Sequence, residues 1–561
     1  MPTSPFFVWR YLYTRPPPIT VPFLFLHHPH SKYLMPSLFI HDHTAHSATP
    51  SCVPTTIQKH LDVYRQRNRL LPILRIYPDL LEYIFLLGVS LEDTIQRRQR
   101  AIFSYSQTCH DWRIVAISVR SLWAALVDFE ENSEAWNNEL LRRSRPCPIV
   151  VRSMADSLRD SSVISAELAH LERIRIYQIG FDISAWDILL ECLQQPAPHI
   201  EYLNLNFINS PIDTFILPST LFAGHAPRLR RLEMARCLVD FKAPALRALT
   251  TLSMGYLCAS IAPTPLEWLQ YLSHLPSLTS LHLVHSMRSL GHYTLETTDQ
   301  VKLPLLAALK LEADLHDIHI FISRLNFPVN CELIIRCAEC YPGPELDTVL
   351  LAYLHRLNYA HHLQPENCPF LIYAQRSRLF MWNDSSDDSD SHIALLEQPP
   401  MLFLDLYLNL NFGFEIWESL LTPVLQILGE AFSNFTSLDL QLPTTHPALL
   451  PCLCRATRLT QLTNVSVVMT KKLLSELQII QPLQFIPLPA LHTIIFTDDD
   501  SMWGAPYQAF LSFLTWRRNI GYPITRVLFR QCLVLDDTVM SLGLLGVQVD
   551  CDPEGSRWQR L

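Results

Sequence analysis

"LRRLEM" (229–234), "LTTLSM" (249–254) and "LTSLHL" (278–283) are three copies of one pattern, L-x-x-L-x-L, and they decide how most of the chain is read. The same template occurs as "LERIRI" (171–176), "IEYLNL" (200–205) and "LAALKL" (306–311). Its fourth positions are Ile174, Leu203, Leu232, Leu252, Leu281 and Leu309, spaced by 29, 29, 20, 29 and 28 residues. That spacing falls in the roughly 20–29-residue period of leucine-rich repeats. Alternating apolar residues predict a short strand with one face inward. Intervening stretches such as "SAWDILLECLQQ" and "TPLEWLQYLSHLP" return the chain by helices. A single unit cannot dry its own apolar face, so neighbouring units stack.

Beyond residue 375 the template returns in "FTSLDL" (435–440), "LHTIIF" (491–496) and "ITRVLF" (524–529). "NDSSDDSDS" (383–391) interrupts the two sets, and such a charged tract has nothing to bury. The expected organisation is a repeat region at 150–375, an exposed acidic loop at 383–398 and a continuation at 399–550. Phosphorylation of Ser385, Ser386 or Ser389 would add charge to a loop that already repels itself.

The composition excludes several function classes. With 53 acidic against 44 basic residues the formal charge of the 561-residue chain is −9, which opposes a broad grip on nucleic acid or an anionic membrane. Glycine is scarce at 13 residues while proline reaches 41, the reverse of ordinary usage, so phosphate-cradling glycine loops are not expected. The 14 cysteines have no secretory pattern before them and suit reduced thiols in cytoplasm or nucleus. The early apolar run "ITVPFLFL" (19–26) is far shorter than the roughly 20 residues of a membrane span.

Residues 1–65 are rich in Pro and His and show no helix or strand period, which predicts a disordered leader. Arg10, Arg15 and Lys32 and the absence of an acid before Asp42 are features of a transit peptide, but the sparseness of Arg and Ser opposes that reading. His27, His28, His30, His41, His43 and His46 lack the folded frame a metal site needs. "CAEC" (337–340) has the spacing of a zinc or redox pair, but no second such pair follows, and Cys331, His361, His362 and Cys368 are neighbours in sequence only. In "TCHDW", Cys109, His110 and Asp111 are consecutive, and helical neighbours point about 100° apart, so a nucleophilic triad is not expected. None of the common hydrolase, zincin or nucleotide-binding motifs occurs. No cofactor or metal is implied.

Between the leader and the repeats stands "YPDLLEYIFLLG" (77–88), a segment with more apolar residues than one buried stripe of about 100° requires. Pro78 suits a first helical turn and Asp79 the positive helix end. A polar break, "SLEDTIQRRQR", separates it from "AIFSYSQTCHDWRIVAIS", and "RSLWAALVDF" closes the group.

Residues 70–130 resemble an F-box domain. Pro78, Asp79, Leu80, Leu81, Ile84 and Phe85 match its first helix, and Cys109, Trp112, Arg113, Ala116, Leu122 and Trp123 match the remainder. The lead-in reads Ile76-Tyr77-Pro78 where the family usually has Leu-Pro-Pro. "EAWNNELLRRSRPCPIVV" and "LFAGHAPRLRRLEM" are similar to F-box proteins with degenerate leucine-rich repeats that are abundant in basidiomycete fungi. The fold so implied is α/β: a three-helix F-box, then an irregular leucine-rich-repeat solenoid with a parallel sheet.

The resemblance implies a non-enzymatic substrate-recognition subunit of an SCF-type ubiquitin ligase. Its F-box would bind a Skp-type adaptor, and its repeats a protein substrate. Pro78, Leu80, Leu81, Ile84, Phe85, Trp112, Leu122 and Trp123 would be the adaptor residues, with the two tryptophans leaning toward the core. A module this small cannot cover an all-round apolar helix unaided. Residues between the inward leucines predict the concave substrate face: Arg173, Arg175, Tyr177, Tyr202, Asn204, Asn206, Arg231, Glu233, His282, Lys310 and Glu312. A mixed polar and aromatic surface suits protein recognition. The alternatives are a repeat scaffold that engages no ligase and a hydrolase with an unsignalled site.

Overall fold

A computed structural model describes residues 55–152, 159–208, 215–289, 300–337, 343–363, 369–375, 378–383, 402–407, 422, 424–429, 431–441, 449–463, 488–497, 505–530, 532, 534 and 536–551. Residues 1–54 with the histidine cluster, the acidic loop from Asp384 onward, and Cys340 lie outside them. The chain divides at 147/148 into two units, one helical and one built on a sheet.

The helical unit contains α1 (Thr55–Arg69), α2 (Pro78–Ser90), α3 (Ile95–Thr108), α4 (His110–Ser118), α5 (Arg120–Ala124) and α6 (Glu134–Arg143). Residues 55–65 are therefore helical, not part of an unstructured leader. Their Gln, Lys and Arg content favours helix. "IQRRQR" is likewise the start of α3, capped by the Thr94 hydroxyl, which accepts from the Arg97 N–H. The expected single second helix is broken at Cys109, whose backbone is extended and whose sulfur accepts from the Trp112 N–H.

Phe85 is the centre of this unit: fully buried, stacked on Tyr105 of α3 at 4.3 Å and edge-on to Trp112 of α4 at 5.2 Å. Gly88, one turn on, faces the Tyr105 hydroxyl, and a Cβ there would displace the end of that side chain. Glycine in mid-helix thus leaves the Tyr105 ring its place between α2 and α3 despite its conformational cost. Asn137 of α6 donates to the Asp128 carbonyl and accepts from Asn132, which ties α6 to the loop before it.

The second unit is a mixed α/β structure with a large, mostly parallel sheet. Its strands are β1 (Ile149–Arg152), β2 (Ile174–Phe181), β3 (Tyr202–Phe207), β4 (Phe215–Leu217), β5 (Arg231–Ala235), β6 (Cys237–Val239) and β7 (Thr251–Gly255). There follow β8 (Ser280–Val284), β9 (Val301–Lys302), β10 (Ala308–Ala313), β11 (Leu325–Asn326), β12 (Glu332–Cys337), β13 (Pro369–Gln375), β14 (Arg378–Asn383) and β15 (Leu402–Tyr407). The last are β16 (Ser437–Gln441), β17 (Gln461–Thr463), β18 (Thr493–Thr497), β19 (Arg526–Arg530) and β20 (Gln548–Cys551). The main sheet runs β1-β2-β3-β5-β7-β8-β10-β12-β15-β14-β13-β16-β17-β18-β19-β20. Two short parallel pairs, β4 with β6 and β9 with β11, lie outside it.

The templates become strands in register. Leu203, Leu232, Leu252, Leu281, Leu309 and Leu333 stand opposite one another across six strands, and each is 0–1% exposed. Leu205, Met234, Met254, Leu283, Leu311 and Ile335 form a second row, none above 3%. Each such side chain contributes about 1.5–3 kcal/mol by leaving water. The return segments supply α7 (Ser161–Leu168), α8 (Trp186–Cys192), α9 (Pro265–Leu272), α10 (Leu315–Arg324) and α11 (Pro344–Leu363). In α9 the sequence Thr264-x-x-Glu267 makes both bonds of a capping box, and Trp268 is fully buried with its indole N–H on the Ser286 carbonyl.

Two departures stand out. β1 pairs Ile149 with Ile174 but Val150 with Ile176, so Arg175 is an extra residue and the register slips by one. A one-residue slip exchanges the faces of a strand. Tyr177, not Ile176, therefore aligns with Leu203 and lies fully buried, its hydroxyl on Glu167 at 3.2 Å. β14 runs antiparallel to both β13 and β15, a three-strand meander in an otherwise parallel sheet. The expected uniform parallel sheet is corrected there.

Candidate functional site

On α2 the apolar residues fall into two stripes. Leu81, Phe85 and Val89, four residues apart, are 5%, 0% and 2% exposed. Leu80, Ile84, Leu87 and Leu91 follow a 4-3-4 spacing and are 56%, 44%, 47% and 69% exposed. Tyr77 and Tyr83 are exposed as well, and α4 adds exposed Ile114 and Ile117. Pro78 is exposed at the first turn.

The expected adaptor residues divide accordingly. Pro78, Leu80 and Ile84 lie at the surface, and Trp112 is half-buried. Leu81, Phe85, Leu122 and Trp123 are corrected to core positions, closed off by the neighbouring helices. The Trp123 indole donates to the Ile117 carbonyl, and the Arg143 guanidinium lies 4.7 Å from its ring. Tyr83, Leu87, Ile114 and Ile117 were missed by the motif match. For Tyr83 and Leu87 the 3.6-residue phase relative to Leu80 was the available signal; Ile114 and Ile117 lie on α4, where no such phase links them to α2. Arg142 and Arg143 both bond Glu139, and with the Arg142 bond dominant they hold its carboxyl down at about 2.

On the sheet unit, the side chains opposite the buried rows form a polar face. Tyr202 donates to Glu233 at 2.7 Å, Asn204 donates to the same oxygen at 3.0 Å, and Arg231 grips the other carboxylate oxygen while lying 4.6 Å over the Tyr202 ring. Burial, then the Glu233 bond, pushes the Tyr202 phenol well up. This cluster satisfies itself. Farther along, His282 and Lys310 are register partners. Burial and the neighbouring cations push both pKa values down, Lys310 for His282 and Arg336 for Lys310.

Glu312 meets His285 at 2.9 Å and Arg336 at 3.5 Å. Burial acts to raise the Glu312 carboxyl, but its cationic neighbours outweigh that and leave it lowered. Asn206 and Arg175 also lie on accessible positions. Arg173 and Tyr177 do not: Arg173 is buried in the turn before β2, and Tyr177 points inward because of the slip. Arg159 reaches Glu167 at 3.4 Å beside the Tyr177 hydroxyl, a buried network that holds the first strands rather than a ligand.

Among the described residues no group of three or more His, Cys, Asp and Glu could hold a metal ion. Cys331 is buried, and burial pushes its thiol up to about 12, the opposite of an activated nucleophile. His110 and Asp111 meet at 3.3 Å, while the Cys109 sulfur is engaged as the helix cap on the Trp112 N–H. No described helix is long and apolar enough to cross a membrane. No protein-family model matches the chain, and no curated protein matches it either.

Proposed function

We propose that the protein is a substrate receptor of an SCF-type ubiquitin ligase, without chemistry of its own, acting in cytoplasm or nucleus. The helical unit docks on a Skp-type adaptor as an F-box does, and the sheet unit, as an irregular leucine-rich-repeat array, presents its polar face to a protein substrate. The second apolar stripe of α2 carries this reading. Leu80, Ile84, Leu87 and Leu91 remain in water while the opposite stripe already forms a core. Aligned apolar anchors of this kind suit insertion into a partner's groove. The buried, unactivated thiols and the self-satisfied polar clusters fit binding better than catalysis.

Co-expression with a Skp-type adaptor tests the reading. The wild-type chain co-purifies with it, and Leu80→Asp with Ile84→Asp abolishes capture while the melting temperature stays within a few degrees. Retention of the adaptor by the double variant, or no capture by the wild type, would sink the assignment. Substitution at Leu81 is unsuitable, because that side chain belongs to the core.

A further inference from the structure

Three consecutive strands, β5, β7 and β8, end in register at Ala235, Gly255 and Val284. The next residue in each, Arg236, Tyr256 and His285, has a left-handed backbone with φ of 60°, 56° and 46°. None is glycine. L residues with side chains resist this region, and bulky ones occupy it only where something else requires them.

The backbone does not require them. Arg236 donates its N–H to the Gly255 carbonyl, Tyr256 to that of Val284 and His285 to that of Glu312, at 2.8–2.9 Å, bonds that glycine would form equally well. What distinguishes these positions is the side chains they hold at one end of the sheet. Tyr256 is 51% exposed, its ring 5.7 Å from that of His285. Arg236 is anchored on the Phe207 carbonyl. Arg336 and His285 converge on Glu312, and Lys310 stands on the same strand. The patch thus sets the cations Arg236, Lys310 and Arg336, with His285, along neighbouring strand ends that also hold Glu312 and Asp314, in a chain whose formal charge is −9. Tyr and Arg are the residue types most often decisive in protein interfaces.

We infer that the strand-end ladder of Arg236, Tyr256 and His285, with Lys310 and Arg336 beside it, is the substrate contact, and that its occupant is an extended acidic segment of a partner protein. This rests on the reading of the sheet face as the partner-binding surface, and it moves the contact from the Tyr202–Glu233 cluster to the strand ends. Cationic excess selects the acidic segment, and Tyr256 anchors it. A long polyanionic nucleic acid is disfavoured by the overall negative charge of the chain.

The test is a random peptide array probed with the full chain, followed by fluorescence anisotropy on the selected peptides. The wild type selects Asp- and Glu-rich peptides and ignores lysine-rich ones and an oligothymidine. Tyr256→Gly weakens the selected peptides by about tenfold or more, yet leaves the melting temperature unchanged or higher, because glycine relieves the left-handed backbone. No selection, selection without acidic bias, oligothymidine binding as tight as the peptides, unchanged affinity in Tyr256→Gly, or a lowered melting temperature would each overturn the inference. The Leu80→Asp, Ile84→Asp protein selects the same peptides, so failure of the adaptor reading and failure of this one are separable.

Discussion

Leu80 on α2 and Leu203 on β3 are the same residue type, yet one is 56% exposed and the other fully buried. In the sheet unit a strand has two faces and each template places leucine on one of them, so the chain's own helices cover all of it. In the helical unit α2 is apolar on two stripes, and α3 and α4 cover only one. The surplus stripe stays in water, whereas the sheet's leucines complete a core. Polar residues show the complement: the sheet unit leaves its outward rows half-exposed and polar, and most of those side chains bond one another.

The comparison is broken most forcefully at the buried stripe. Phe85→Ala should cost the helical unit about 3–5 kcal/mol, read as an earlier denaturant midpoint; a loss under about 1 kcal/mol would mean the two stripes of α2 do not differ as described. A smaller effect tests the opposite mismatch, a charge in a dry place. Asp317, 2% exposed on α10, has its carboxyl pushed up to about 6 from 3.8, by burial first and Asp314 second. The folded state then holds this proton more tightly than the unfolded chain, so the group's contribution is full below about 3.8 and lost as pH rises through about 6. Asp317→Asn should therefore raise stability at neutral pH by roughly 1–3 kcal/mol. The gain should vanish in unfolding experiments below pH 3.8; a gain that persists there would have another cause. Smallest of all, Leu80→Ser with Leu87→Ser should shift stability by no more than about 0.5 kcal/mol per site. A large loss in its melting curve would place this stripe against the protein itself.

Much of the sheet was legible from spacing alone. Templates at 200–205, 229–234, 249–254, 278–283 and 306–311 become β3, β5, β7, β8 and β10, and those at 435–440, 491–496 and 524–529 become β16, β18 and β19. The 171–176 template becomes β2 but one residue out of phase, since the extra residue is set by pairing with β1, which no local pattern records. The β13–β14–β15 meander was illegible because apolar alternation is the same in parallel and antiparallel strands. For the candidate site, the motif found α2 but not its direction. Matching residues by type placed Leu81 and Phe85 with Leu80 and Ile84, although adjacent positions on a helix point about 100° apart.

What the sequence by itself determined is periodic: where strands recur, that α2 carries surplus apolar surface, and that the outward positions of the strands are polar. Periodicity is a local property, and each residue's neighbours in the chain encode it. Tertiary structure alone decided which stripe of α2 is covered, which way Tyr177 faces, and that Arg236, Tyr256 and His285 stand side by side at the strand ends. Those outcomes depend on pairing and packing between segments far apart in the chain, where the free energy of burial is shared among partners that no single stretch contains.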